Sequence, residues 1–146
     1  MKVKTLILGF AFALAIAVPA FGGGPAIFAK AIAVGTMKAT TIQTKGGAMV
    51  LDSITIAPGG NFGWHTHGAP VAVVVTRGTL TVFDPSVAGC APFKVSKGAS
   101  FVEPANHVHL ARNDGTKTVT LYALFLGVPK PSLGQVAANE PAGCSA

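Results

Sequence analysis

Turn-forming residues punctuate this chain at short intervals beyond its first 45 residues. Gly46-Gly47, Pro58-Gly59-Gly60, Arg77-Gly78, Asp84-Pro85, Lys97-Gly98 and Asn113-Asp114-Gly115 separate runs rich in β-branched and aromatic residues. Each is a turn signal for a physical reason: glycine reaches positive φ without a steric penalty, proline presets φ, and Asn or Asp bonds its own backbone. No run carries a sustained 3.6-residue apolar period. The pattern predicts strands at Met37–Thr44, Met49–Ile56, Val71–Thr76, Thr79–Phe83, Phe93–Val95, Ser100–Val102, His107–Ala111 and Thr118–Gly127. Strands so short and so evenly punctuated make an all-β domain, a sandwich or a barrel. Val71–Val75 is continuously apolar, as a strand covered on both faces would be. No linker is long enough to set off a second domain, and residues 129–146, rich in Pro, Ala and Gly, are expected to run over the surface.

The first twenty residues have a different character. Lys2 and Lys4 precede the uncharged run from Thr5 to Val18, which ends in Pro19-Ala20. A basic start, a short apolar middle and a small-residue end describe a secretory signal peptide, cleaved after Ala20, with Ala29-Lys30-Ala31 as an alternative site. A membrane anchor is the competing reading, but it needs about 20 apolar residues and this run has about 14. Residues 1–20 are therefore read as a signal and 21–146 as the mature domain, periplasmic or secreted, with no stable membrane anchor. Without Lys2 and Lys4, nine basic residues face five acids, spread singly along the chain, so nucleic acid is not an expected partner. Cys90 and Cys144 are the two cysteines, and an oxidising compartment predicts that they pair.

All four histidines fall in two His-x-His units, His65-Thr66-His67 and His107-Val108-His109. In a strand, side chains at i and i+2 share a face, so each unit can aim two imidazoles into one interior. Neutral imidazole is the commonest transition-metal ligand, which predicts a site for one divalent ion of Fe, Mn, Cu, Ni or Zn. Histidines satisfied by backbone, or exposed, are the bland alternative.

The segments around both units resemble the two motifs of the cupin superfamily. The first motif, G-x5-H-x-H-x3-E-x6-G, is met by Gly59, His65, His67 and Gly78 at the motif's spacing, with Val71 where the motif has glutamate. The second, G-x5-P-x-G-x2-H-x3-N, is met by Gly98, Pro104, His109 and Asn113, with Asn106 where the motif has glycine. The resemblance implies a single-domain antiparallel double-stranded β-barrel of jelly-roll type, with its motif core at 59–113 and a C-terminal tail at 129–146. It further implies a metal in the barrel mouth held by His65, His67 and His109. His107 lies outside the motif; strand alternation puts it on the side of His109, as a fourth ligand, a base or a supporting group.

Valine at position 71 supplies neither charge nor lone pair, so a three-histidine site keeps open positions for water, an anion or a substrate. Of the acids, Glu103 is the one close in sequence to the motif, and it reads as a solvated residue before the turn at Pro104. Arg112 and Tyr122 are candidates to orient an anionic substrate, or plain strand residues; Phe62 and Trp64 are pocket or core. The function expected is a metal-dependent oxidoreductase or oxygenase acting on a small polar molecule, with His107 assisting proton transfer. The alternative is a non-catalytic protein that binds metal or a small ligand. Homodimerisation through an edge strand is common among cupins and is a further expectation.

Overall fold

The computed structural model describes residues 29–129 and 134–146; the signal peptide expected at 1–20 lies outside the described residues. Among the described residues of Ala31–Ala146, nine strands run in chain order: β1 (Ala48–Ile56), β2 (Asn61–Thr66), β3 (Val71–Arg77), β4 (Thr79–Phe83), β5 (Phe93–Ser96), β6 (Ser100–Glu103), β7 (His109–Arg112), β8 (Val119–Val128) and β9 (Val136–Ala137). They form a four-stranded sheet, β1-β8-β3-β6, and a five-stranded sheet, β5-β4-β7-β2-β9. Every strand pair is antiparallel. The all-β double-stranded barrel expected from the punctuation and the motifs is therefore the fold. Among the described residues, no helix is long and apolar enough to cross a membrane.

Strand β3 holds the centre of the first sheet, between β8 and β6. Its alternate residues Val71, Val73 and Val75 are buried, and so are Val119, Leu121, Ala123 and Phe125 of β8. The intervening residues of both strands, Ala72, Val74, Thr120 and Tyr122 among them, are only partly covered. These inward rows meet Leu80, Val82, Val95 and Ala111 of the second sheet in one core cluster. Tyr122 thus sits on the outward row, away from the barrel interior.

The turn chemistry is confirmed where it was most exacting. Gly59, Gly78 and Gly98, all motif glycines, have φ of 76°, 75° and 85°, and Asn106 occupies the fourth glycine position with φ 60°. Asparagine is among the few residues that tolerate this left-handed region, so the motif's turn survives its substitution. Asn113, buried beneath the surface, donates from Nδ2 to the carbonyls of Ile56 and Lys117 and accepts from the Gly115 N–H. Its place in the motif is accounted for by closing these loops.

Three expectations are corrected. Residues 37–44 are not a strand; an isolated bridge joins Thr36, just before them, to Ala99. Strand β2, which carries the first histidine unit, was not anticipated, because Gly63 (φ 71°) makes an irregularity between Asn61 and Trp64 that breaks the two-residue alternation. The tail does not merely cross the surface: β9 pairs with β2, and the Ala138 N–H donates to the Trp64 carbonyl.

Candidate metal centre

Two strands of the second sheet bring the histidines together. His65, next to last in β2, lies directly opposite His109 at the start of β7, and His67 follows just beyond the end of β2, two residues after His65 on the same face. All three side chains are buried, and one potential ligand atom from each lies within 4.8 Å of the others. Their rings are packed against one another, with centroids 4.3 Å apart for His65 and His109 and 4.9 Å for His65 and His67.

Backbone carbonyls orient all three rings. His65 Nδ1 donates to the Gly63 carbonyl at 2.9 Å, His67 Nδ1 to Gly134 at 2.6 Å and His109 Nδ1 to His107 at 3.0 Å. A neutral imidazole that donates from Nδ1 keeps its lone pair on Nε2. Two of these acceptors are local consequences of the fold, the Gly63 irregularity and the bend before β7. The third comes from the tail, 67 residues away in sequence.

Glu103 is the residue whose role sequence reasoning missed. Rather than meeting solvent, its side chain is only 11% exposed, with Oε2 3.3 Å from His67 Nε2 and Oε1 3.3 Å from His109 Nε2. Register explains this placement: Glu103 on β6 is the partner of Val71 on β3, and cross-strand partners project from one face. Since Val71 lines the interior, Glu103 does too. Burial opposes the charge on this carboxyl, but the His109 and His67 rings that face it overcome that and hold it down at about 2. The same contact outweighs burial at His109 and raises its pKa, whereas burial lowers that of His65.

This set of groups fits a cation. His109 Nε2 is buried and has no partner in hydrogen-bonding geometry among the described residues, although a Glu103 oxygen is 3.3 Å away. An ionised carboxylate facing imidazole lone pairs is repulsive unless a proton or metal ion stands between them. The donor set, imidazole nitrogens with one carboxylate, suits first-row transition metals. His65, His67 and His109, as expected from the motifs, are the residues that could hold it.

The remaining candidates lie elsewhere. His107 precedes β7 and its Nε2 is 2.7 Å from Asp84 Oδ1, whose other oxygen-bonded neighbour is Ser86; it does not line the chamber beside the three histidines. The alternation expected to bring it alongside His109 fails because residue 107 lies outside the strand. Arg112 stacks over the Phe83 ring, with Asp114 2.6 Å from its Nε. Trp64 packs with Phe83, Leu110 and the Cys90–Cys144 disulfide in a second apolar cluster, while Phe62 faces His65 in the chamber. The chamber itself has a volume of about 50 Å³ and is walled by aliphatic groups such as Ile54, Leu80 and Leu121, with Gln135 of the tail at its edge.

In the metal-free protein the Glu103–His109 contact makes stability depend on pH. Glu103, lowered from 4.5 to about 2, contributes stability that is present above 4.5 and lost as pH falls toward 2. His109, raised above 6.5, contributes stability that is full below 6.5 and lost as pH rises through its folded value. His65 acts with the opposite sign but is present in any pair of variants compared. The stability difference between wild type and Glu103→Gln, measured by urea unfolding of chelator-treated protein, is expected to peak between pH 4.5 and 6.5. A difference that stays level from acid to alkaline pH would show that the contact does not form.

A two-sheet β-barrel with three imidazoles converging in its interior is the arrangement that the two sequence motifs imply. Comparison with known families is specific: the model for "Cupin domain" matches residues 53–125, half of the chain, and the protein belongs to that family. Solved structures share the fold at low identity. The polyketide cyclase RemF from Streptomyces resistomycificus is 16% identical over 68% of this chain and 66% of that one, with a TM-score of 0.54. The DMSP lyase DddQ from Ruegeria pomeroyi is 15% identical with a TM-score of 0.53; the match covers 63% of this chain and less than half, 44%, of the lyase. Peruvianin-I, a cysteine peptidase from Thevetia peruviana latex, is 23% identical over 62% of this chain and 55% of that one, with a TM-score of 0.51. No curated protein matches the chain in sequence. Three such different activities on one barrel mean that the chemistry must be argued from the site.

Proposed function

We propose that this protein is an exported, metal-dependent oxidoreductase of the oxygenase type, acting on a small molecule at one divalent transition-metal ion held by His65, His67 and His109. The observation that carries the reading is the convergence of three Nδ1-anchored imidazoles on a buried point beside an ionised carboxylate. A bound metal of this kind supplies Lewis acidity and, as Fe or Cu, the capacity to activate dioxygen.

The chain's own groups restrict the substrate. Among the described residues, Glu103 is the one carboxylate lining the chamber, and no lysine or arginine lines it to bind an anion. The rest of the lining is largely aliphatic and aromatic, which favours a small, uncharged molecule with a polar atom at one end. Gln135 at the chamber edge offers that molecule an amide. Export rests on the signal-like residues 1–20 and is compatible with the disulfide.

A non-catalytic metal-binding protein is the second reading, favoured by the chamber's size. About 50 Å³ holds a few water-sized molecules, well below the roughly 300–1,000 Å³ of ordinary ligand sites. Protein lacking residues 1–20, loaded in turn with Fe, Mn, Cu, Ni and Zn, is expected to retain about one equivalent. The Fe or Cu form is expected to consume dioxygen with a small thiol or diketone. Retention without uptake by any of these substrates moves the conclusion to the binding protein; retention of none of the five metals removes both readings.

A further inference from the structure

We propose that Glu103 is the fourth metal ligand, so that the carboxylate absent from position 71 is supplied by the neighbouring strand. The proposal rests on the three-histidine reading above and extends it. Val71, where the family motif has its glutamate, is the register partner of Glu103 across the β3–β6 ladder. Partners in an antiparallel ladder have Cβ atoms about 4.5–5.5 Å apart on one face. A carboxylate on β6 therefore reaches the same volume as one on β3.

The nitrogen that Glu103 approaches distinguishes a ligand from a supporting group. A carboxylate that only orients a metal-bound histidine bonds the ring nitrogen pointing away from the metal. Here that nitrogen, Nδ1, is already taken by a backbone carbonyl in all three rings. Glu103 instead lies on the Nε2 side, 3.3 Å from both His67 and His109. Two donors each about 2.1 Å from one metal ion are separated by about 3.0 Å at a right angle and about 3.4 Å at a tetrahedral angle. The observed separations fall within that interval, so one ion fits between these donors without moving the carboxylate far.

The consequence is a site of three neutral imidazoles and one anion, in which a divalent ion keeps a net charge of +1. Such a set is harder than three imidazoles alone, and it favours Fe or Mn relative to the softer Cu(I). Backbone geometry leaves Val71 free to be apolar, and the methyl groups there complete the chamber wall.

Metal-free wild type, E103Q, V71E/E103V and H109A proteins would be titrated with Co(II), following the visible d–d bands and the affinity. E103Q is expected to bind on the order of 100-fold more weakly, with shifted and altered bands, and V71E/E103V to recover most of the affinity and the wild-type spectrum. An E103Q protein with unchanged affinity, or with lowered affinity but wild-type bands, overturns the proposal, because the carboxylate then acts through the histidines or not at all. Should E103Q not fold, V71E/E103V decides: recovered affinity and spectrum support the proposal, and a folded swap variant that binds as weakly as H109A overturns it. Failure of wild type itself to bind Co(II), Fe(II) or Zn(II) strikes the three-histidine reading instead, and is told apart by that.

Discussion

Replacing His65, His67 or His109 with alanine is expected to weaken metal binding on the order of 100–1,000-fold. Apparent binding free energies of about 10–16 kcal/mol for four-ligand sites correspond to about 2.5–4 kcal/mol for each ligand. These three residues should lie at the full value, because their orientation is already fixed by backbone acceptors at Gly63, Gly134 and His107 and little is lost in ordering them. Stability carries the same information. A ligand at 1,000 times its Kd stabilises the folded state by about 4 kcal/mol, so metal should raise the unfolding midpoint of wild type and leave that of the alanine variants nearly unmoved. His107→Ala is the control, since its ring engages Asp84 rather than the cluster. Competitive titration against a chromophoric chelator reads the affinities. Wild-type affinity in His65→Ala and His109→Ala together would place the ion elsewhere, and a loss in His107→Ala equal to theirs would contradict the geometry described.

Much of this architecture is legible in the sequence because local rules and global fold agree. Glycines at left-handed turns and β-branched runs between them identify β1, β3, β4, β5, β6 and β8 to within a residue or two. The three converging histidines follow from motif spacing alone. What escaped depends on information that no local pattern contains. Strand β2 is hidden because Gly63 breaks its alternation, although the irregularity is what turns the Gly63 carbonyl toward His65. Glu103 looked solvent-facing because two strands, β4 and β5, intervene in sequence between β3 and β6, and a single sequence does not reveal the register that sets Glu103 against Val71. Residues 134 and 135 lie in a segment without periodicity, yet they contribute a carbonyl to His67 and an amide to the chamber edge.

The tail's role makes the disulfide the second large lever. Cys90 and Cys144 are 54 residues apart in sequence and close a loop that contains β5 to β9. In the chain-entropy account, a loop of about 55 residues stabilises the fold by about 4 kcal/mol, so Cys90→Ser/Cys144→Ser should unfold at markedly lower urea, with an equilibrium constant shifted on the order of 1,000-fold. A second effect follows from connectivity. The bridge packs with Phe83, Leu110 and Trp64, and the Trp64 carbonyl accepts from Ala138 one residue beyond β9. The bridge, β9 and the Gly134 carbonyl on His67 are thus successive anchors of one segment. Loosening the last anchor should raise the local opening of the others and remove the orienting acceptor of one ligand, for which losses of about 10–100-fold in metal affinity are typical. Urea unfolding and metal titration of the double serine variant, under conditions where it is still folded, separate the two effects. Lowered stability with wild-type metal affinity would mean that β9 alone holds Gly134 in place, and unchanged stability would mean that the unfolded chain gains no freedom when the bridge is removed.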